Sequence, residues 1–372
     1  MSIDFFEGRD FLTKRIIRPT RPVRRTGSLK GLLFFFLLGI LLFVLLRDKP
    51  QTILSPASPY IAELYRDGKV IQEEEFDSFD EAKTFLNERR GAVKRTSDDR
   101  YFYLTGSGIG IVDAGQTLNI YADRSLKKRQ TYVAPGSRLS LLAYTESVSR
   151  IEIAGLTGYV ASDRLTLYPI EQSSHQSYYE KQGDRLLHYI VADAGLGGLI
   201  TAGQAPASLP ERTTKYVESK TLTKDLRQAT DLTAKQLDAY IRKNAPDSPL
   251  IGTGKTFKQV ERDFKINAAY LLAHAIHESN YGRSEIAQDK FNLFGVNATD
   301  IAPGKNATAY TSFEDSIRKT GRFIARDYLA EDGKYYRGAF LGNKARGMNV
   351  FYASDPYWSE KIAGILVKMD AV

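Results

Sequence analysis

His274-Ala-Ile-His277-Glu278-Ser-Asn-Tyr-Gly-Arg-Ser284 decides the reading of this chain. Around it Ala268, Leu271, Leu272, Ala275 and Ser279 recur at steps of three and four, the spacing of a helix with a buried face. Asn280 and Gly282 are helix terminators, so the helix is expected to stop just beyond Glu278. Glu278 then sits beside an apolar face and near a helix C-terminus. Desolvation and the negative end of the helix dipole both disfavour its ionised form, so its pKa should rise and leave it protonated near neutral pH. Such a carboxyl can act as a general acid toward a glycosidic oxygen. An ordinary polar residue at the end of a core helix fits the same spacing.

The neighbouring motifs separate these readings. Ala273-His-Ala-Ile-His-Glu278, Tyr281-Gly-Arg-Ser284, Asn292-Leu-Phe-Gly295 and Tyr352-Ala-Ser-Asp-Pro-Tyr-Trp358 follow one another in order. In this the chain resembles the bacterial glucosaminidases of glycoside hydrolase family 73. The resemblance implies a lysozyme-like, mainly helical domain over 215–372. It also implies hydrolysis of the β-1,4 bond between N-acetylglucosamine and N-acetylmuramic acid in peptidoglycan glycan strands, with Glu278 as proton donor. Some family members carry a second acidic residue, a Glu, after Asn-Leu-Phe-Gly. Here Val296 to Ser312 holds no Glu, its single acid is Asp300, and Glu314 lies at a helix start where the dipole explains it.

The expectation is therefore one acid, Glu278, with the substrate's own 2-acetamido oxygen attacking the anomeric carbon and Tyr352 positioning the sugar or stabilising the developing charge. Asn292, Phe294, Tyr357 and Trp358 are the candidate groove walls, although Phe294 fits a core position as well. Two alternatives share these residues: a lytic transglycosylase, which also works with one Glu, and a wall-binding scaffold protein that does not cut. A zinc site is disfavoured. The chain's histidines are His175, His188, His274 and His277, and a His-Glu-x-x-His helix started at His277 meets Tyr281 where the second His belongs. No metal or other cofactor is expected.

The other strong signal is N-terminal. Gly31 to Leu46 carries no charge, so 29–47 reads as a short transmembrane helix, preceded by a basic tail over 1–28 and followed by a proline-containing stalk over 48–59. Residues 1–30 hold eight basic against three acidic residues, which places the tail in the cytoplasm and the rest outside. Of the net charge of +8, these residues carry 8 − 3 = +5, leaving 44 basic and 41 acidic residues elsewhere. The basic excess thus belongs to the tail, and a nucleic-acid partner is not expected. The partners expected are glycan strands, the lipid bilayer through 29–47, and a regulatory membrane protein approaching at Gly39. The absence of Cys removes disulfides and suits the outer face of a Gram-positive cell.

Between anchor and enzyme the pattern predicts a small α/β module over 60–105. Strands flank Asp67-Gly68, and a helix follows Ser78 with Phe79, Ala82, Phe85 and Leu86 on one face. Short strands over 106–170, with Gly155-Leu-Thr-Gly-Tyr-Val-Ala-Ser162 near the end, resemble an SH3-like barrel. Residues 171–214 read as a connector. Helices are expected after caps at Thr233 and Thr256, after Ser312, and from Trp358 to Met369. The fold class is α+β multidomain, from an N-terminal transmembrane helix through the α/β module and SH3-like barrel to the lysozyme-like domain.

Overall fold

Asp67 and Gly68, both in the left-handed region at φ 51° and 74°, form the turn that sequence predicted, and from it the β-rich half is built. The computed structural model describes residues 59–171, 177–192, 195–297 and 306–370. Strands β1 (Tyr60–Arg66) and β2 (Lys69–Phe76) flank that turn, and helix α1 (Phe79–Leu86) follows with the Ser78 side chain accepting from Glu81 N. Next come β3 (Gly91–Arg95), β4 (Tyr101–Thr105), β5 (Gly108–Val112), β6 (Leu118–Tyr121), β7 (Arg129–Val133), β8 (Arg138–Ala143), β9 (Val148–Ile153), β10 (Leu156–Ala161) and β11 (Leu165–Pro169).

These strands correct the expected fold class. Rather than a separate α/β module and barrel, all eleven form one antiparallel sheet in the order β2-β1-β3-β4-β11-β5-β8-β9-β10-β6-β7. The join is β4 against β11, with Leu167 opposite Tyr101. The side of β4 away from β3 would otherwise be an unpaired edge, and the returning β11 meets it at Tyr101. One core crosses the join, holding Tyr65, Ala92 and Leu104 together with Val112, Leu139, Ile151 and Leu167. Among the described residues no helix is long and apolar enough to cross a membrane. Residues 1–28, the apolar run 29–47 with Gly39, and the stalk up to residue 58 lie outside the described residues.

The stretch read as a connector is a second sheet. Strands β12 (Tyr178–Gln182), β13 (Arg185–Ala192), β14 (Gly195–Gln204) and β15 (Arg212–Thr213) pair in the order β14-β13-β12-β15.

Helices then take over. Helix α2 (Ala234–Asn244) begins in a full capping box between Thr233 and Gln236. Helix α3 (Gly254–Phe264) starts earlier than predicted, so Thr256 lies inside it. Its cap comes from another helix: Asp238 Oδ1 of α2 accepts from Gly252 N at 3.0 Å and Gly254 N at 2.8 Å. Gly254 permits that approach, since a Cβ there would lie 2.3 Å from Ala234 O. Helix α4 (Ala268–Ser279), the short α5 (Glu285–Lys290), the Ser312-capped α6 (Phe313–Ile324) and α7 (Trp358–Asp370) complete the domain.

Helix α4 is its axis. Every residue from Ala268 to Ile276 is buried, so it is surrounded rather than merely amphipathic, with α3 and α7 packed on it. Leu272→Ala, which empties a fully buried position, is expected to destabilise this domain by about 2–5 kcal/mol in urea unfolding followed at the single tryptophan, Trp358.

Candidate active site

The end of α4 is fixed by three successive left-handed residues, Asn280, Tyr281 and Gly282, at φ 48°, 60° and 76°. Ser279 ties this turn down, donating to Ala275 O at 2.6 Å and accepting from Gly282 N at 2.8 Å. Glu278 is thereby held one residue before the helix end, with its side chain 24% exposed. Its Oε1 accepts a 2.7 Å hydrogen bond from Trp358 Nε1, at the first residue of α7. On the other side a Cβ at Gly295 would lie 3.4 Å from Oε2, so the Asn-Leu-Phe-Gly motif reaches the carboxyl with bare backbone.

Burial raises the Glu278 pKa to about 7. The Trp358 bond and the Lys361 charge oppose the rise, and Asp355 adds to it. At neutral pH the residue is thus divided between acid and carboxylate. Beneath it lies His274, wholly buried, with Nδ1 3.2 Å from Tyr270 Oη and Nε2 3.7 Å from Glu278 Oε1. Burial, with His277 nearby, pushes the His274 pKa well down, so it stays neutral and supplies no charge that would keep Glu278 ionised. Phe294, Tyr352 and Trp358 meet the His274 ring edge-on, with centroids at 5.2, 4.7 and 5.0 Å. These rings exclude water from below the acid.

The sequence-predicted residues fall into three groups. Trp358 and Tyr352 are at the site: Trp358 touches the acid, and Tyr352 stacks on Trp358 at 4.6 Å and 23°. Burial holds the Tyr352 hydroxyl pKa well above its ordinary value, so it remains a donor. Asn292 and Phe294 are adjacent but interior. The Asn292 amide donates to Val296 O and Thr308 O while its oxygen accepts from Phe294 N and Val296 N, so it shapes the turn that delivers Gly295. Phe294 is 2% exposed and lies against His274, the core position that sequence left open. Tyr357 belongs elsewhere. It meets His188 of β13 edge-on at 4.7 Å and lines a cavity of about 170 Å³ with Arg138, Tyr179 and Tyr216. Consecutive residues at a helix start point in different directions, which separates it from Trp358.

Of the other acids, Asp300 lies outside the described residues, and Glu314 is exposed in the first turn of α6. Sequence reading missed Asp355 and Lys361, which form an ion pair close enough to influence both Glu278 and His277. Asp355 stood within the fourth motif. Lys361 follows Trp358 by three residues on α7, and nothing in the chain pattern shows that α7 crosses α4. Among the described residues no group of three or more His, Asp or Glu side chains is arranged to hold a metal ion.

Comparison with known proteins places relatives on the same segment. Residues 254–371 match the Glucosaminidase family, described as mannosyl-glycoprotein endo-beta-N-acetylglucosaminidase. Two Streptococcus pneumoniae proteins, described by inference as endo-beta-N-acetylglucosaminidases, are each 36% identical over 270 residues, or 68% of this chain. That match is longer than 215–372, so it takes in part of the β-rich half. The chain spans 39% and 37% of the length of these two relatives. Among solved structures, a catalytic mutant of S. aureus autolysin E in complex with the disaccharide NAG-NAM is 23% identical, with a TM-score of 0.35 over 42% of this chain and 74% of that one. S. aureus glucosaminidase B, also 23% identical, has a TM-score of 0.32 over 41% and 65%.

Because Trp358 is the sole tryptophan and donates to Glu278, its emission should titrate with the carboxyl, with a midpoint near pH 7; Glu278→Gln should abolish that transition. The folded pKa lies above the unfolded one, so Glu278 favours folding below about pH 4.5, and that contribution is lost as pH rises through about 7. Glu278→Gln should therefore be more stable than wild type at pH 8, by about 1–3 kcal/mol in chemical unfolding.

Proposed function

We propose that this chain is an endo-β-N-acetylglucosaminidase that hydrolyses the β-1,4 bond between N-acetylglucosamine and N-acetylmuramic acid in peptidoglycan, with Glu278 as general acid. The observation that carries this reading is a carboxyl near a pKa of 7, held by a neutral indole donor at the end of a buried helix. Protonated, it can give its proton to the departing glycosidic oxygen. The family match on 254–371 and the relatives' described activity support the substrate class. Peptidoglycan lies outside the cytoplasmic membrane, so the site works there.

The second half of the reaction is assigned to the substrate. Asp355 is the carboxylate that bears on Glu278, but Lys361 pairs with it and its Oδ1 accepts from Tyr357 N at 2.9 Å, which suits an anchor better than a nucleophile. In the assisted route the 2-acetamido oxygen bonds to the anomeric carbon as the glycosidic bond breaks and the leaving oxygen takes the Glu278 proton. Water then opens the oxazolinium ion, with the Glu278 carboxylate accepting a water proton. In this reading Tyr352 orients the sugar, supported by its neutral phenol and its stacking on Trp358.

Glu278→Gln should lower hydrolysis of purified glycan strands at least about 1,000-fold, because it keeps the shape and removes the proton. Mass spectrometry of the wild-type products should find N-acetylglucosamine at the new reducing end; 1,6-anhydromuramic ends would identify a lytic transglycosylase instead. N-deacetylated strands should resist cleavage, and their cleavage at an undiminished rate would return the second role to a carboxylate. Activity should fall as pH rises through about 7, as Glu278 loses its proton.

A further inference from the structure

Strand β7 ends the eleven-stranded sheet, and the side that no strand covers is taken up by a segment more than 200 residues later in the chain. Thr131 Oγ1 donates to Val350 O at 2.5 Å, Tyr132 Oη to Phe351 O at 3.0 Å, and Ala134 N to Ser354 O at 2.9 Å. From the other side comes Lys344, fully buried. Its Nζ donates to Asn349 O at 2.8 Å and Ala353 O at 2.7 Å and lies 5.2 Å from the centre of the Tyr132 ring. Asn349 Nδ2 donates to Asp355 O and Pro356 O, both at 3.1 Å. The carbonyls of 349, 350, 351, 353, 354, 355 and 356 are thus each held by a named donor. The residue in their midst is Tyr352, which stacks on the tryptophan bonded to Glu278.

So complete a set of bonds exceeds what closing a surface loop requires. A buried ammonium is costly to desolvate, and a Leu or Met would fill the space without that cost. What Lys344 provides is two directed donors at a place where no helix or strand supplies them. Burial pushes its pKa down to about 7, and both its ammonium and its amine form keep the two N–H groups that the carbonyls need.

We propose that Thr131, Tyr132 and Lys344 are positioning residues for the reaction: the sheet edge and the buried lysine fix residues 349–356 so that Tyr352 lies flat on Trp358 and Trp358 donates to Glu278. The β-rich half is then a working part of the active site. This rests on Glu278 being the general acid. The groups that face Glu278 are Trp358, Lys361, Asp355 and Tyr352 from α7 and the segment before it, His274 and Tyr270 on its own helix, and the Gly295 backbone. Of these the clamp controls the Trp358 bond and the place of Asp355, whose effects on the Glu278 pKa are opposed; the Trp358 bond is the larger and sets the direction of the shift.

The test uses the full chain with Thr131→Val and Tyr132→Phe, singly and together; each removes one hydroxyl and little volume. The double variant should lose about 10-fold to 100-fold in kcat on glycan strands, with KM within about twofold of wild type. Weakening the Trp358 bond removes an interaction that lowers the Glu278 pKa, so the alkaline limb of the pH–rate profile should move to higher pH. The midpoint of the Trp358 emission titration should move with it. Lys344→Met is expected to act in the same direction, with an added loss of stability from two abandoned carbonyls. A double variant whose kcat, pH limb and emission midpoint all match wild type overturns the proposal. So does a fall in kcat with neither pH readout moved, since that marks a purely structural role. The emission titration needs no substrate, so it decides the clamp even where the wild type cleaves nothing, an outcome that would instead overturn the hydrolase reading.

Discussion

The hydrogen bond from Trp358 Nε1 to Glu278 Oε1 is the constraint around which the helical domain is arranged. An indole N–H is a donor without charge. A lysine or arginine in its place would stabilise the carboxylate and pull the pKa down, leaving no proton to give. Burial alone would leave the carboxyl unpartnered, at a cost of about 1–3 kcal/mol. The indole satisfies the oxygen and leaves the acid near neutrality. Because the donor stands at the first turn of α7 and the acceptor at the last turn of α4, this one bond also sets how the two helix ends meet.

The surroundings are built from the same materials. His274 is made neutral by burial and enclosed by Phe294, Tyr352 and Trp358, so the floor of the site carries rings rather than ions. Charge enters at one remove, through the Asp355–Lys361 pair, where each partner offsets the other's effect on Glu278.

The β-rich half and the helical domain share buried polar contacts as well as apolar surface. Tyr179 Oη donates to Glu360 Oε1 at 2.6 Å, and His188 Nδ1 pairs with Oε2 of the same residue, all three being buried; Glu360 lies on α7 two residues past Trp358. Parting the two halves would strand these groups together with the carbonyls of Val350, Phe351 and Ser354 that Thr131, Tyr132 and Ala134 hold. Each stranded group costs on the order of 1–3 kcal/mol, so the interface acts as core and not as a hinge.

Local chemistry was readable along the chain wherever one segment decided the outcome. The Asp67-Gly68 turn, the Ser78 and Thr233 caps, the helix after Ser312, and the termination of α4 just beyond Glu278 depend on neighbours within a few residues, and sequence predicted each. The raised pKa of Glu278 was legible too, since an apolar helix face and a helix C-terminus both act locally. Other features need partners far apart in sequence. Thr256 was read as a cap because nothing nearby shows that Asp238 of another helix takes that role. The α/β module and the barrel were read apart because a glycine-rich break looks like a boundary until β11 returns to pair with β4. Tyr357 was grouped with Trp358 because adjacency in a motif says nothing of which way each side chain points once α7 is docked. The sequence by itself determined that the Glu278 pKa is raised and where its helix stops, since those follow from short-range sterics and solvation. Only the tertiary structure decided which indole holds the carboxyl, which ring backs it, and that a sheet edge and a buried lysine grip the loop between them, because hydrogen bonds across such separations exist only after the chain has closed on itself.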